Sequence, residues 1–167
     1  MKLWSCILYL SITGAIAFFV GRILPKEWFR PELFPYRSYK FERGGRIYDK
    51  LNIRKWQSKV PDMSRILPKI MPPKNLSGNF KERLPLMLQE TCVAEMIHSV
   101  LCLASLCCLE LYPGIGGVII VILYVVFFNL PYIIIQRYNR PRLLKLTQRI
   151  QGEGKKQEKG ETSSCVC

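Results

Sequence analysis

Residues 115–135 carry no charge over 21 positions and are dominated by Ile, Val and Phe. A run of that kind fits a helix crossing a hydrocarbon core of about 30 Å. A second uncharged run, 3–20, has 18 residues and lies near the lower limit for a span. Between them, 84–112 reads as one helix, with Pro85 in its first turn and Pro113-Gly114 stopping it. At about 1.5 Å per residue that helix exceeds the bilayer core, so its first part is expected in the interface. The expected fold class is an all-α integral membrane protein with about three transmembrane helices, the last two an antiparallel hairpin. The segments are 1–20, a first span; 21–83, a basic membrane-surface segment; 84–136, the hairpin; and 137–167, a basic motif with a disordered tail.

Charge sets the expected orientation. The 167 residues include 25 Lys or Arg against 12 Asp or Glu, a formal +13. Residues 21–92 hold 16 basic and 7 acidic side chains, and 137–167 hold 8 and 3. Cytoplasmic flanks accumulate Lys and Arg. Both basic stretches share that side if the N-terminus and the Pro113 turn lie outside. A rival reading makes 3–20 a cleaved signal peptide, since Ala15-Ile16-Ala17 fits a small-x-small cleavage pattern. Cleavage would export a segment of net +9 (16 minus 7), which the charge rule opposes.

The segment between the first two spans is too charged to cross a membrane and too aromatic for a plain linker. Residues 46–59 read as an interfacial basic helix, with Ile47, Tyr48 and Leu51 near one face, Trp56 and Val60 toward its end, and Arg54, Lys55 and Lys59 elsewhere. Prolines at 61, 68, 72, 73 and 85 divide the next stretch into short pieces. Cys6, Cys102, Cys107 and Cys108 sit in apolar runs without C-x-x-C spacing and read as buried small hydrophobes. Asn75-Leu76-Ser77 reads as a turn, because a glycosylation sequon needs a lumenal loop. Cys165-Val166-Cys167 is not a C-a-a-X box and reads as an inert tail. Glycine-rich phosphate loops, a G-x-S-x-G elbow and zinc-type Cys/His spacing are all missing from the sequence. Three spans make anionic membrane lipids, rather than nucleic acid, the expected partner of the basic surface.

Polar chemistry inside the apolar runs marks the candidate site. Thr91, Glu95, His98 and Cys102 fall on one helical stripe, with Glu95 and His98 three residues apart. Ionisable groups at that depth need a partner or a function. In this reading Glu95 holds one ring nitrogen of His98, the only histidine, and leaves the other to take a proton. Glu90 lies on a different face nearer the interface. A plain interhelical hydrogen bond is the structural alternative. A di-iron carboxylate site would need a second Glu-x-x-His from a dimer, so no metal or other cofactor is expected.

The third span ends in a second constellation. Asn129 and Pro131 interrupt its apolar run, and Gln136-Arg137-Tyr138-Asn139-Arg140-Pro141-Arg142 comes directly after it at the bilayer edge. Antiparallel packing brings this edge level with Glu90, Glu95 and His98. Its arginines suit a phosphate, a carboxylate or a developing oxyanion, while plain positive-inside anchoring is the bland account.

From about 22 to 147 the chain resembles the glycosyl-4,4'-diaponeurosporenoate acyltransferase family, small bacterial membrane proteins assigned to the last step of staphyloxanthin biosynthesis. The residues that carry the resemblance are Phe41-Glu42 with Gly45 and Tyr48, Arg54-Lys55-Trp56 with Lys59 and Pro61-Asp62, Glu90-Thr91 with Glu95 and His98, Asn129-Leu130-Pro131, and 136–143. It departs from the expected pattern at Cys92-Val93, where basic side chains would stand. The resemblance implies an acyltransferase of the bacterial cell membrane, multi-pass, moving a fatty acyl group to a sugar hydroxyl of a glycosylated carotenoid or related glycolipid. The implied partners are that acceptor and an acyl donor such as acyl-CoA or an acyl carrier. On this reading His98 and Glu95 are catalytic, and Glu90, Asn129, Arg137, Tyr138, Asn139, Arg140, Arg54, Trp56 and Asp62 bind substrate. Transfer is direct unless Cys102, one turn beyond His98, is a nucleophile. The reading from another class is a non-enzymatic membrane subunit that positions a partner enzyme, and transport is disfavoured by the absence of an inverted repeat.

Overall fold

The computed structural model describes residues 2–60 and 80–164. Asp62, Asn75-Leu76-Ser77 and Cys165-Val166-Cys167 therefore lie outside the described residues. The helices are α1 (Lys2–Ile23), α2 (Ile53–Trp56), α3 (Phe80–Ser105), α4 (Cys107–Leu111), α5 (Ile115–Leu123) and α6 (Leu130–Ser164), with a π-helical turn, Tyr124–Asn129, joining the last two. No strand occurs among the described residues. Three stretches are long and apolar enough to cross a membrane: Lys2–Ile23, Arg83–Leu111 and Ile115–Ile150.

The outward faces explain why this bundle belongs in lipid. Trp4, Phe19, Leu103, Ile115 and Phe127 are all exposed, and the apolar windows of the first and third spans are only 6% and 11% buried. In water such surface would cost roughly 25 cal/mol per Å², so hydrocarbon is its natural solvent. The protein's own packing is confined to two apolar clusters. Cys6, Cys108 and Val121 form one near the α4–α5 turn, with Tyr9 and Tyr112 against them. Phe29, Cys92 and Val93 form the other at the opposite end, with Leu24, Tyr36 and Ile97. Cys92-Val93 thus serves as core. Free Cys6 and Cys108 are buried as expected, but Cys107 is exposed and Cys102 half-buried. Adjacent Cys107 and Cys108 point about 100° apart on a helix, so both cannot face α1.

Several boundaries differ from the sequence pattern. The second span starts at Phe80 rather than 84, which puts Pro85 in its second turn, and it breaks at Leu106 before α4. Pro113-Gly114 closes the hairpin as expected. Gly117 is required there, because a Cβ would collide with the Tyr112 carbonyl. Asn129 lies in the π-turn and Pro131 in the first turn of α6, and the third span continues through both. Nor does an irregular tail begin at Gly152. The helix continues to Ser164 through a stretch rich in Lys, Gln and Glu, all good helix formers.

Between α1 and α3 lies a cap. After a short 3₁₀ turn, Lys26–Trp28, the chain drops Phe29 into the core and then forms a 3₁₀ segment, Lys40–Leu51. The continuous helix expected over 46–59 is not formed. Asn52 is left-handed, at φ +49°, and separates the 3₁₀ segment from α2, which is only four residues long. Ile47 and Leu51 stay exposed, whereas Ile53 is buried. Arg43, Gly44 and Gly45 are successive left-handed residues that turn the segment back onto α6. Gly45 has φ +87°, and a Cβ there would sit 3.2 Å from Arg142 Nη1. Gly44 has the same hand but open space around it. Gly45→Ala is expected to destabilise the protein by about 1–3 kcal/mol, more than Gly44→Ala, as a larger drop in Tm in detergent. Equal drops would show that Gly45 is not a docking point.

Candidate active site within the membrane

Antiparallel α3 and α6 present Thr91 with Glu95, and Arg137 with Arg140, each pair one turn apart on facing sides. Arg137 Nε donates to Glu95 Oε1 at 2.7 Å, Nη1 to Glu42 Oε1 at 2.8 Å, and Nη2 to the Pro35 carbonyl at 3.0 Å. Arg140 donates from Nε to Thr91 Oγ1 at 2.8 Å, from Nη2 to the Thr91 carbonyl at 2.9 Å, and from Nη1 to the Tyr36 carbonyl at 2.8 Å. Its Nη2 also lies 2.6 Å from Glu95 Oε2, a charge contact without the alignment of a hydrogen bond. Two guanidiniums thus meet two carboxylates, and Glu42, Glu95 and Arg140 are 2%, 5% and 2% exposed. The charge balances within the group, which is the condition for burying it.

Glu42 reaches this group because Tyr39 caps the 3₁₀ segment. The Tyr39 N–H donates to Glu42 Oε2 at 2.8 Å, and the Tyr48 hydroxyl donates to Oε1 at 2.6 Å. Burial pushes the Glu42 carboxyl up, but the Tyr48, Arg137 and Tyr39 donors outweigh it and hold the carboxyl below its usual range. Burial, then the neighbouring carboxylate, pushes the Tyr48 hydroxyl well up. Arg137 and Arg140 also lie over the Tyr39 and Tyr36 rings, at 4.7 and 5.4 Å from the centroids. Arg142 closes the far edge, stacking 3.5 Å from the Tyr138 centroid and pairing with Asp49 at 2.7 Å.

One turn beyond Glu95 lies the imidazole. His98 Nδ1 is 3.0 Å from Asn129 Oδ1, and the ring stacks on Tyr132 with centroids 4.5 Å apart. Asn129 is buried, and its Nδ2 donates to the Tyr124 carbonyl at 3.1 Å across the π-turn. That bond fixes the amide, so Oδ1 faces the ring as an acceptor. Nδ1 must then carry the proton, which leaves the Nε2 lone pair available in the neutral ring. The partner of His98 is therefore Asn129, not Glu95. The reason is electrostatic: two full positive charges compete for the Glu95 carboxylate, and a neutral imidazole cannot displace them.

The other expected site residues divide clearly. Arg137 and Arg140 belong to the site's frame, with their donors committed to protein groups instead of a ligand. Tyr138 is buried beneath Arg142, and Asn139, half-buried, makes no hydrogen bond into this network among the described residues. Glu90 pairs with Lys26 at 3.1 Å and ties the α1 end to α3. Arg54 is exposed, and the Trp56 indole donates to the Leu51 carbonyl at 2.8 Å, so neither joins the group. Cys102 is half-buried. Glu42, Tyr48 and Tyr132 are the additions, the first two signalled only by the Phe41-Glu42 and Tyr48 matches.

Glu42 gives the cap a pH dependence. Its depressed pKa means that docking is fully present above the unfolded value, about 4.3, and is lost as pH falls through the lower folded value. Amide exchange over 35–48, corrected for its intrinsic rate, should stay flat from pH 7 to about 5 and rise below that range. Glu42→Gln should raise it already at pH 7 and lower stability by roughly 3 kcal/mol, since Arg137 loses one buried partner. Exchange unchanged by the substitution would contradict this docking.

A family model described as glycosyl-4,4'-diaponeurosporenoate acyltransferase matches residues 25–149. The chain is 29% identical over 154 residues to the protein of that name from Staphylococcus aureus strain Newman, covering 92% of each chain. It is 28% identical over 156 residues to the one from strain N315, again covering 92% of each. No solved structure matches. The matched region takes in the cap, the buried charge group and the His98–Asn129 pair, and the chain belongs to the glycosyl-4,4'-diaponeurosporenoate acyltransferase family.

Proposed function

We propose that this chain transfers a fatty acyl group to a sugar hydroxyl of a glycosylated carotenoid or related glycolipid in the bacterial cell membrane. Family membership supports the reaction class and the acceptor. The observation that carries the chemistry is the Tyr124 carbonyl–Asn129–His98 chain, which supplies an unprotonated Nε2 inside an apolar span. By the positive-inside rule the cap and the arginine-rich run 137–142 of α6 face the cytoplasm, with the N-terminus outside.

Nε2 takes the proton of the acceptor hydroxyl as its oxygen attacks the acyl carbonyl. The tetrahedral intermediate collapses, the donor's carbonyl–heteroatom bond breaks, and the imidazolium returns the proton to the leaving group. Asn129 is a positioning residue, because it acts through the ring. The Tyr132 face prevents the ring from swinging away. No covalent acyl-enzyme is needed.

Mass spectrometry of acylated glycolipid formed by the purified chain tests this. His98→Gln, which inserts into membranes like the wild type, should lower turnover by roughly 10²- to 10⁴-fold. Asn129→Leu should lower kcat by about tenfold or more with KM unchanged, the mark of a lost tautomer preference rather than lost binding. Retained activity in His98→Gln would remove the base assignment.

A further inference from the structure

Resting on that acyltransferase reading, we propose that the acyl donor is a membrane phospholipid, whose glycerol ester reaches His98 sideways through the bilayer. The approach past Arg137 and Arg140 is closed. The cap carbonyls of Pro35 and Tyr36, together with Glu42, lie directly on Arg137 and Arg140. The cleft there, lined by Tyr36, Ser38, Glu42, Arg137, Arg140 and Pro141, has a volume of about 10 Å³, room for one water molecule. A pantetheine arm cannot pass it. Nor do the two arginines suit a nucleotide phosphate, since Arg140 is 2% exposed and both are neutralised by Glu42 and Glu95.

The imidazole itself lies within the apolar spans. His98 follows Glu95, the partner of Arg137, by three residues, which places it about 5 Å deeper along α3 than the charged layer. His98 is nevertheless partly exposed. Its near neighbours in sequence, Val100 and Leu103, and those of Asn129, Phe128 and Leu130, are exposed apolar side chains. In a membrane that surface is covered by acyl chains. The ester carbonyl of a glycerophospholipid lies just below the headgroup, and its chain already occupies this layer.

The reaction balances without another reactant. The sugar oxygen forms a new bond to the acyl carbon, the bond from that carbon to the glycerol oxygen breaks, and the proton moves from the sugar hydroxyl through Nε2 to the glycerol alkoxide. The products are the acylated glycolipid and one lysophospholipid. An ester is exchanged for an ester, so no activated thioester is required.

The test uses the full chain in vesicles of phosphatidylglycerol with ¹³C-labelled acyl groups and a glycosyl-4,4'-diaponeurosporenoate acceptor, with unlabelled acyl-CoA and acyl carrier protein outside. The expected product carries ¹³C, appears with an equal amount of lysophosphatidylglycerol, and persists when the thioesters are omitted. His98→Gln should lose both products together. An unlabelled product that requires a thioester would overturn the phospholipid donor while leaving the acyltransferase reading intact. No product from any donor would overturn both, and lysolipid formation that survives His98→Gln would assign that cleavage elsewhere and overturn the inference.

Discussion

Glu42, Glu95, Arg137 and Arg140 form a closed, neutral group of charges where the cap meets the membrane helices, and the rest of the architecture depends on it. Each ion alone would cost several kcal/mol to bury. Together, with Thr91, Tyr48 and the Pro35 and Tyr36 carbonyls satisfying further donors and acceptors, they are tolerated. Their geometry fixes the register of α3 against α6, because Glu95 and Thr91 must meet both arginines. It also fastens the cap, since Glu42 arrives from the 3₁₀ segment and not from a span.

That register brings the imidazole to the amide. The π-turn inserts one extra residue per turn ahead of Pro131, so Asn129 points into the bundle while Phe127 and Phe128 face lipid. Its side-chain amide then donates to the Tyr124 carbonyl within that turn. A local departure from α-helical geometry thus becomes the device that selects the His98 tautomer. The charged layer frames the bundle, and the proposed base lies in the neutral layer one turn below it.

The membrane class was legible because uncharged runs such as 115–135 admit few other folds, and the Thr91–Glu95–His98 stripe because three- and four-residue spacing defines one helix face. The partners across that face were not legible. Spacing within α3 makes Glu95 and His98 neighbours, but it carries no information on what α6 and the cap deliver, and the delivered guanidiniums outcompete an imidazole for the carboxylate. The cap was hardest to read. Residues 46–59 have an amphipathic pattern, yet left-handed Asn52 divides them, and left-handed Arg43 is not expected of a non-glycine residue. The arginine-rich run at 137–142 stood out in the sequence, but the carboxylates and carbonyls it meets did not. The same side chains that could clamp a phosphate at the surface are internal ties once Glu42 and Glu95 meet them.

The proposed chemistry turns on Asn129 holding His98 as the neutral Nδ1–H tautomer. Solid-state ¹⁵N NMR of the chain in lipid bilayers, with its single histidine labelled, reads this directly. The expected spectrum shows a protonated Nδ1 coupled to its hydrogen and an unprotonated Nε2 at neutral pH, with the preference lost in Asn129→Leu. An Nε2–H tautomer, or a ring protonated on both nitrogens, would contradict it.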